Sequence, residues 1–514
     1  MLGLQPPSVA SSEWARVRKE LLFATIVLGS CADGTLGPVL VPGFVVVAAD
    51  LQVSLTSVTL LNGSLVMALG VSSYVCSPLA TCFGKRPVYL CTTLLVLASC
   101  CWAAASRSYT SLLASRVFQG LGMGAFLSLA GTSSINEVFL EDERGVRVGL
   151  WNFAFIVCVN LTPVISGYVI SSLSWRWAFW LEAILFGGVL VATILFFPET
   201  TTTTTVRMDG GVAAVDDRIP TTPPDTIDTK SASEVDIAEK QQQQSVVPLD
   251  DTASVAIAST VPITTTTQKL QALSLALVSP LAILLHPVVL WGCIMWSVTF
   301  TWTILLGAVA SQIFTAPPYN MSTIAVGNLT GLAPGIGSAL GTVLGGWLCD
   351  WTRRLLSRAP APAPPSHPPA NSPGTVDPES RLPVLLPATI TMAVGAFGLG
   401  AATERGDSAV VCGVFMAILN FAVGMGCTGI VAYTNDVCAE RAGDAFGLAM
   451  LMKSALAFGL TFVWNDYLGK HGPLVFFSTF GALSVGVMLT SVPLFVWGKR
   501  VRRWADGWDL LRRS

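Results

Sequence analysis

Four ionisable residues stand inside or at the edge of long apolar runs, and they are the first candidates for chemistry: Asp33, Arg116, Glu182 and Lys453. A charge at the centre of a membrane-spanning helix costs roughly 2.5–3.5 kcal/mol on insertion scales, so a residue kept there is a functional candidate by default. Asp33 falls near the middle of its run. An acid held away from water can take up a proton near neutral pH, which makes Asp33 the candidate proton carrier; a structural ion pair is its other reading. Arg116 could oppose that protonation, so the two form a candidate proton-coupling pair, or Arg116 belongs to a fixed polar network. Lys453, also near mid-run, has three readings: it holds an anionic substrate, pairs with an acid, or extends its head to the interface. Glu182 falls near the end of its run and reads as interfacial.

Around these charges lie groups that could line a substrate cavity. Trp291, Trp296, Phe300 and Trp302 share one run. Trp296 and Phe300 could stack on a flat or apolar solute, whereas tryptophans at a run's end also serve as interfacial anchors. Asn160 and Asn420 are candidate hydrogen-bonding groups in the same cavity. Other chemistry finds no residues to carry it. No Gly-x-x-x-x-Gly-Lys-Ser/Thr string is present, so ATP-driven work is not expected. The 12 cysteines fall mostly in apolar stretches and, with 3 histidines in the chain, show no metal-ligand spacing. A net charge of −2 gives nucleic acid no electrostatic support. The expectation is a protein that is not an enzyme, with no cofactor, no metal and no obligate protein partner.

The elements that position these residues follow from composition. The chain of 514 residues is 52% hydrophobic and only 12% charged, against roughly 25% charged in a soluble domain. Its solvent is lipid. Twelve runs are long enough to span a bilayer as helices: 21–46, 56–80, 87–106, 110–132, 147–172, 177–197, 286–313, 324–349, 383–403, 409–433, 442–465 and 472–497. They lack the period-two alternation of a barrel. The domain plan is an N-terminal segment (1–20), a six-helix half (21–198), a polar linker (199–283) expected to be disordered, a second six-helix half (284–498) and a basic tail (499–514). A proline-rich insert (359–378) interrupts the second half. Lys and Arg concentrate on one side, from Arg16 and Lys19 through Lys85, Arg147 and Arg354 to Arg503, leaving Arg107, Arg176, Arg405 and Lys470 opposite. Both termini are therefore expected in the cytoplasm.

Rows of small residues mark close helix packing. Ala154, Cys158, Thr162 and Ser166 recur every fourth residue in the fifth run, beside Pro163 and Gly167. The eighth run carries Gly327, Gly331 and Gly335, then Gly337, Gly341 and Gly345. These rows read as the surface on which two halves slide, or as tight packing alone. Asn320, in Asn-Met-Ser between runs, is a candidate N-glycosylation acceptor.

In this order the sequence resembles the major facilitator superfamily, and within it the fungal twelve-span drug:proton antiporters and related polyamine and cation transporters. The resemblance rests on Gly84-Lys85-Arg86, on Arg116 with Phe118-Gln119-Gly120, on Glu143-Arg144-Gly145, on Ser174 to Trp180, on Phe197 to Thr200, on Pro378 to Leu382 and on Gly498 to Trp504. It implies a major facilitator fold with cytoplasmic gating loops at Gly84, Lys85, Arg86, Glu143 and Arg144 and at Gly346, Asp350 and Arg353, and a gate contribution from Asp436. It also implies that spans five and eight meet between the halves. The sequence departs at Ser77 and Thr81, where the family loop has a glycine and an acid, and at Thr162 to Gly167, a reduced form of the antiporter signature. The function so implied is proton-coupled export of a small organic molecule from a fungal cell. Import of a cation, polyamine or organic acid is the alternative within the fold, and a transport-dead receptor or scaffold is the alternative outside it.

Overall fold

The computed structural model describes residues 16–130, 134–139, 141–198, 277–357, 378–438 and 441–506. Most of the linker, nearly all of the proline-rich insert and the end of the tail lie outside the described residues, as do the side chains of Glu143 and Arg144. The described chain has twelve helices long and apolar enough to cross a membrane. They are α1 (Arg16–Leu36), α2 (Leu55–Phe83), α3 (Lys85–Ala105), α4 (Tyr109–Gly122, continued by Gly124–Leu129), α5 (Glu141–Ser172), α6 (Trp175–Phe196), α7 (Pro287–Thr315), α8 (Thr323–Ser357), α9 (Leu385–Arg405), α10 (Ala409–Val437), α11 (Ala442–Thr461) and α12 (Trp464–Leu489). A further helix, α13 (Ser491–Asp506), follows. With twelve spans, the described chain begins at Arg16 and ends at Asp506 on one side of the bundle, the terminal end; the other side is the far end.

Local signals set the boundaries. Ser54, Ser108 and Ser408 cap α2, α4 and α10 by accepting a backbone N–H from three residues on. Gly84 alone separates α2 from α3, with φ of 89°, a value that favours glycine. The expected gating loop at Gly84, Lys85 and Arg86 is therefore helix on both sides of a one-residue turn. The expected second loop is helical too, because α8 runs on to Ser357. Gly472, at φ of 77°, breaks α12 so that its first turns lie apart from the span.

The two halves repeat each other in their neighbours. In the first, α1 packs on α5, α2 on α4, and α3 on both α4 and α6. In the second, α7 packs on α11, α8 on α10, and α9 on both α10 and α12. The halves meet along two equivalent seams, α5 with α8 and α2 with α11. At the first seam, a Cβ on Gly327 would stand 2.4 Å from the Pro163 carbonyl oxygen and one on Gly331 2.6 Å from that of Asn160. At the second, a Cβ on Gly70 would stand 2.4 Å from Ser454 Cβ, and one on Gly63 2.6 Å from Thr461 Oγ1. Backbones this close gain dispersion contact, the main attraction left between helices in lipid.

Two expectations need correcting. The glycine row at 337, 341 and 345 does not face α5. A Cβ on Gly337 or Gly341 would stand 2.0 or 2.2 Å from the carbonyl oxygens of Ala417 or Phe421, and one on Gly345 2.9 Å from Met425 Cα, all on α10. The offset of two residues from Gly335 to Gly337 turns the second row about 200° around the helix. The linker is also not featureless to its end. Residues Ser279–Leu285 form a 3-10 helix against α7 and α11, with Ile283 buried.

Because overpacking costs about 1–3 kcal/mol, Gly341→Val should lower the thermal midpoint of the purified protein. Gly187→Ala, where a Cβ meets nothing within 4 Å, should not. A melting series followed by size-exclusion chromatography checks both.

Candidate functional site

In the first half, three of the four intramembrane charges converge. Arg116 on α4 is fully buried. Its Nη1 donates to the Leu36 carbonyl oxygen at 3.0 Å and to Gln119 Oε1 at 2.9 Å, and its Nη2 donates to Asn62 Oδ1 at 3.2 Å. Its guanidinium carbon also lies 5.5 Å from the Phe179 ring centroid. The Arg-x-x-Gln spacing explains part of this, since residues three apart share a helix face and Gln119 can meet the guanidinium. Four elements thus hold one cation through neutral acceptors and a ring face.

Glu182 on α6 is buried at 6% exposure, not interfacial. Its position gives the reason: it lies two turns into a helix whose first turns are covered by the 3-10 segment Pro38–Gly43 and the helix Phe44–Leu51. Arg176 and Trp175, which open α6, both bond Asp50 at 3.0 Å. The far end of the membrane segment is therefore roofed above Glu182. The Thr35 hydroxyl lies 2.8 Å from Glu182 Oε2 and 2.6 Å from the Ala32 carbonyl oxygen. Glu182 is the site residue that span-edge reasoning missed. The available signal was the Trp-Arg-Trp string just before it, which anchors the roof.

Asp33 on α1 is buried, and neither carboxylate oxygen has a hydrogen-bond partner. Glu182 acts on it electrostatically, and Asp33 reaches Cys76 of α2 and Cys100 of α3 in the same way. The structure does not join Asp33 to Arg116: among the described residues no carboxylate lies within ion-pair distance of that guanidinium. The expected pair is instead a group of three, with Glu182 within electrostatic reach of both partners.

In the second half, Lys453 on α11 is buried with its Nζ 3.6 Å from the Phe300 ring centroid and 5.4 Å from that of Trp296. These three expected cavity residues do come together. The two asparagines do not join them by hydrogen bonds. Asn160 donates to Ile156 O at 2.8 Å on its own helix and meets Gly335 across the α5–α8 seam; Asn420 donates to Met416 O at 3.0 Å. Pro163 and Gly167 stand on the same seam, opposite Gly327.

At the terminal end, Arg86 Nη2 donates to the Ile194 carbonyl oxygen at 3.1 Å, tying α3 to the last turns of α6, and Lys85 is buried. Arg147 pairs with Glu20 over the rings of Phe23 and Phe139. Asp436 pairs with Arg381 at 2.5 Å, and Glu379 with Arg502 at 3.2 Å, joining the 3-10 segment Pro378–Val384 that precedes α9 to α10 and α13. Asp350 and Arg353 are exposed and make no ion pair among the described residues, and a Cβ on Gly346 would meet nothing within 4 Å. At the far end, Asn465 Nδ2 donates to Thr59 Oγ1 at 2.7 Å and Thr56 Oγ1 to Asp466 Oδ1 at 3.1 Å, bonding the halves directly. Asn320 is exposed in the far-end connection between α7 and α8.

Known proteins resemble this chain in sequence and fold. The Major Facilitator Superfamily profile matches residues 22–461. An uncharacterized MFS-type transporter of Schizosaccharomyces pombe is 23% identical over 96% of this chain and 86% of its own. The MFS antiporter QDR3 of Candida albicans is 28% identical over 35% of this chain and 26% of its own, and the efflux pump notK of an Aspergillus species is 27% identical over 26% and 24%. A D-xylose–proton symporter has the same fold, with a TM-score of 0.62 over 92% of this chain and 97% of its own at 16% identity.

Removing the Arg116 guanidinium strands three buried acceptors, each at a cost of about 1–3 kcal/mol. Arg116→Leu should therefore lower the thermal midpoint sharply, and Asn62→Leu, which removes one acceptor, much less. Melting of the purified variants in detergent reads the difference.

Proposed function

The chain belongs to the Major Facilitator Superfamily, a family of membrane transporters, and we propose that it is a proton-coupled secondary transporter that exports a small organic molecule across the fungal plasma membrane by alternating access. The observation that carries this reading is the unpartnered Asp33 carboxylate, buried beside Glu182 and near Arg116, whose two Nη atoms bond neutral oxygens. An acid with no donor to stabilise its charge is a place for a proton. Hydrogen counting supports a second such place. Thr35 has one hydroxyl proton and two oxygen neighbours. A proton on Glu182 would satisfy both contacts, with Glu182 donating to Thr35 and Thr35 to Ala32.

Alternating access is supported by the seams. Each half is bound internally, and the two seams between the halves are lined by glycine faces. With both termini in the cytoplasm, the expectation from Lys and Arg placement, the bonds Asn465–Thr59 and Thr56–Asp466 hold the outer end shut in this conformation. They must break for release outside. Export as the direction is supported by the printed names of the efflux pump and antiporter relatives, which match this chain over part of its length.

A deletion strain should retain the exported compound inside the cell, and an untargeted comparison of metabolites identifies it. In vesicles loaded with that compound, Asp33→Asn and Glu182→Gln should each reduce pH-gradient-driven transport to background while leaving exchange without a gradient intact. Unchanged pH-dependent transport in Asp33→Asn would remove that residue from coupling.

A further inference from the structure

Among the described residues, the second half holds a buried cation, Lys453, that no carboxylate pairs with. Lys453 is 6% exposed. Among the described residues no carboxylate lies within ion-pair distance of its ammonium, and the thiol of Cys427 on α10 is the one titratable group acting on it. The two ring faces of α7 attract a cation but supply no hydrogen-bond acceptor for three N–H donors. Arg116 in the first half differs: carbonyl and amide oxygens accept from both of its Nη atoms, leaving only Nε without a partner. Asp33 does not answer Lys453 either, since its electrostatic neighbour is Glu182.

The position matters as much as the charge. Met450 and Ser454, on the same stretch of α11, face Gly70 of α2 across the seam. Ser454 Oγ is buried without a hydrogen-bond partner, as is Ser73 Oγ on α2. Lys453 therefore adjoins a joint between the halves at which further polar groups await partners. Trp296 is backed by Phe446 at 5.1 Å between ring centroids, which fixes its plane beside the ammonium.

We propose that Lys453, flanked by Phe300 and Trp296, binds the anionic group of the transported molecule, and that the substrate class is a flat or aromatic organic acid carried as its carboxylate. This rests on reading the chain as an exporter of small organic molecules and adds the charge of the cargo. A carboxylate accepts hydrogen bonds from the ammonium, while the ring attached to it meets the aromatic faces that already bracket the amine.

The test is equilibrium binding to the purified full-length protein in lipid nanodiscs, with three probes of one shape: 2-naphthoate, 2-naphthamide and 2-naphthylmethylammonium. The expected result is that the acid binds about tenfold or more tightly than the amide, as a charge-assisted bond provides. Lys453→Arg should keep that preference, Lys453→Gln should abolish it, and Lys453→Glu should shift it toward the ammonium probe. A second measurement needs no variant: amine-directed labelling of Lys453, followed by mass spectrometry, should slow with naphthoate and not with naphthamide. Equal binding of acid and amide, a preference surviving in monodisperse Lys453→Gln, or labelling unaffected by naphthoate each overturns the proposal. Binding uses no gradient, so failure of proton-driven export would leave this result standing, and loss of the anion preference would leave export standing.

Discussion

Close backbone approach between helices is the constraint on which the rest of this structure depends. In lipid an apolar side chain gains little by leaving its surroundings for a neighbouring helix, so helices must associate through contact area and polar bonds. Glycine supplies area by bringing backbones together. The protein uses it in two different ways on one helix. One face of α8 (Gly327, Gly331) lies on α5 of the other half, and the opposite face (Gly337, Gly341, Gly345) lies on α10 of its own. An added Cβ would meet its partner at 2.0–2.9 Å on the α10 face and at 2.4–2.6 Å on the α5 face. Helix α8 thus packs closely on both halves through opposite faces. The α2–α11 seam repeats the device with Gly63 and Gly70.

Burial of charge is organised around that frame. A cation in a low-dielectric interior requires compensation, and the first half compensates Arg116 without an acid by enlisting a helix-end carbonyl, an asparagine and a glutamine. Holding both Nη atoms of Arg116 with neutral oxygens leaves the carboxylates outside any ion pair with it. Asp33 and Glu182 can then change charge without breaking an ion pair that holds the bundle together, a requirement for any group that must gain and lose a proton in each cycle.

Much of the fold was legible because lipid enforces long apolar runs. The twelve spans and the repeat of six were set by run length and by the positions of Lys and Arg. Loops were less legible: the stretches at Gly84 to Arg86 and Gly346 to Arg353 are polar enough to look like connections, yet helix runs up to both sides of Gly84 and straight through the second. For the site, residue type at depth identified Asp33, Arg116 and Lys453, and the aromatic spacing identified Trp296 and Phe300. Glu182 was missed because depth along a run is not depth in a membrane when a short helix, Phe44–Leu51, covers the end of the span. The glycine rows were visible, but which helix each row faced depended on an angular offset that counting by fours does not reveal. Gly63 and Gly70, seven residues apart, drew no attention because a single repeat is no pattern.

The placement of charges also bears on how coupling would work. Had the acid and the cation proposed to bind substrate shared one pocket, proton and substrate could compete by direct contact. Here Asp33 and Glu182 belong to the first half and Lys453 to the second, with the α2–α11 seam beside the lysine. An effect of one ligand on the other must then act through the position of the halves, since a ligand shifts an equilibrium only by its differential affinity for the two states. Protonation removes charge within the first half, and an anion at Lys453 neutralises charge within the second. Each lowers the cost of the conformation in which its own group is most thoroughly removed from water. The polar bonds Asn465–Thr59 and Thr56–Asp466, which span the halves at the far end, are where those two electrostatic changes would be weighed against each other.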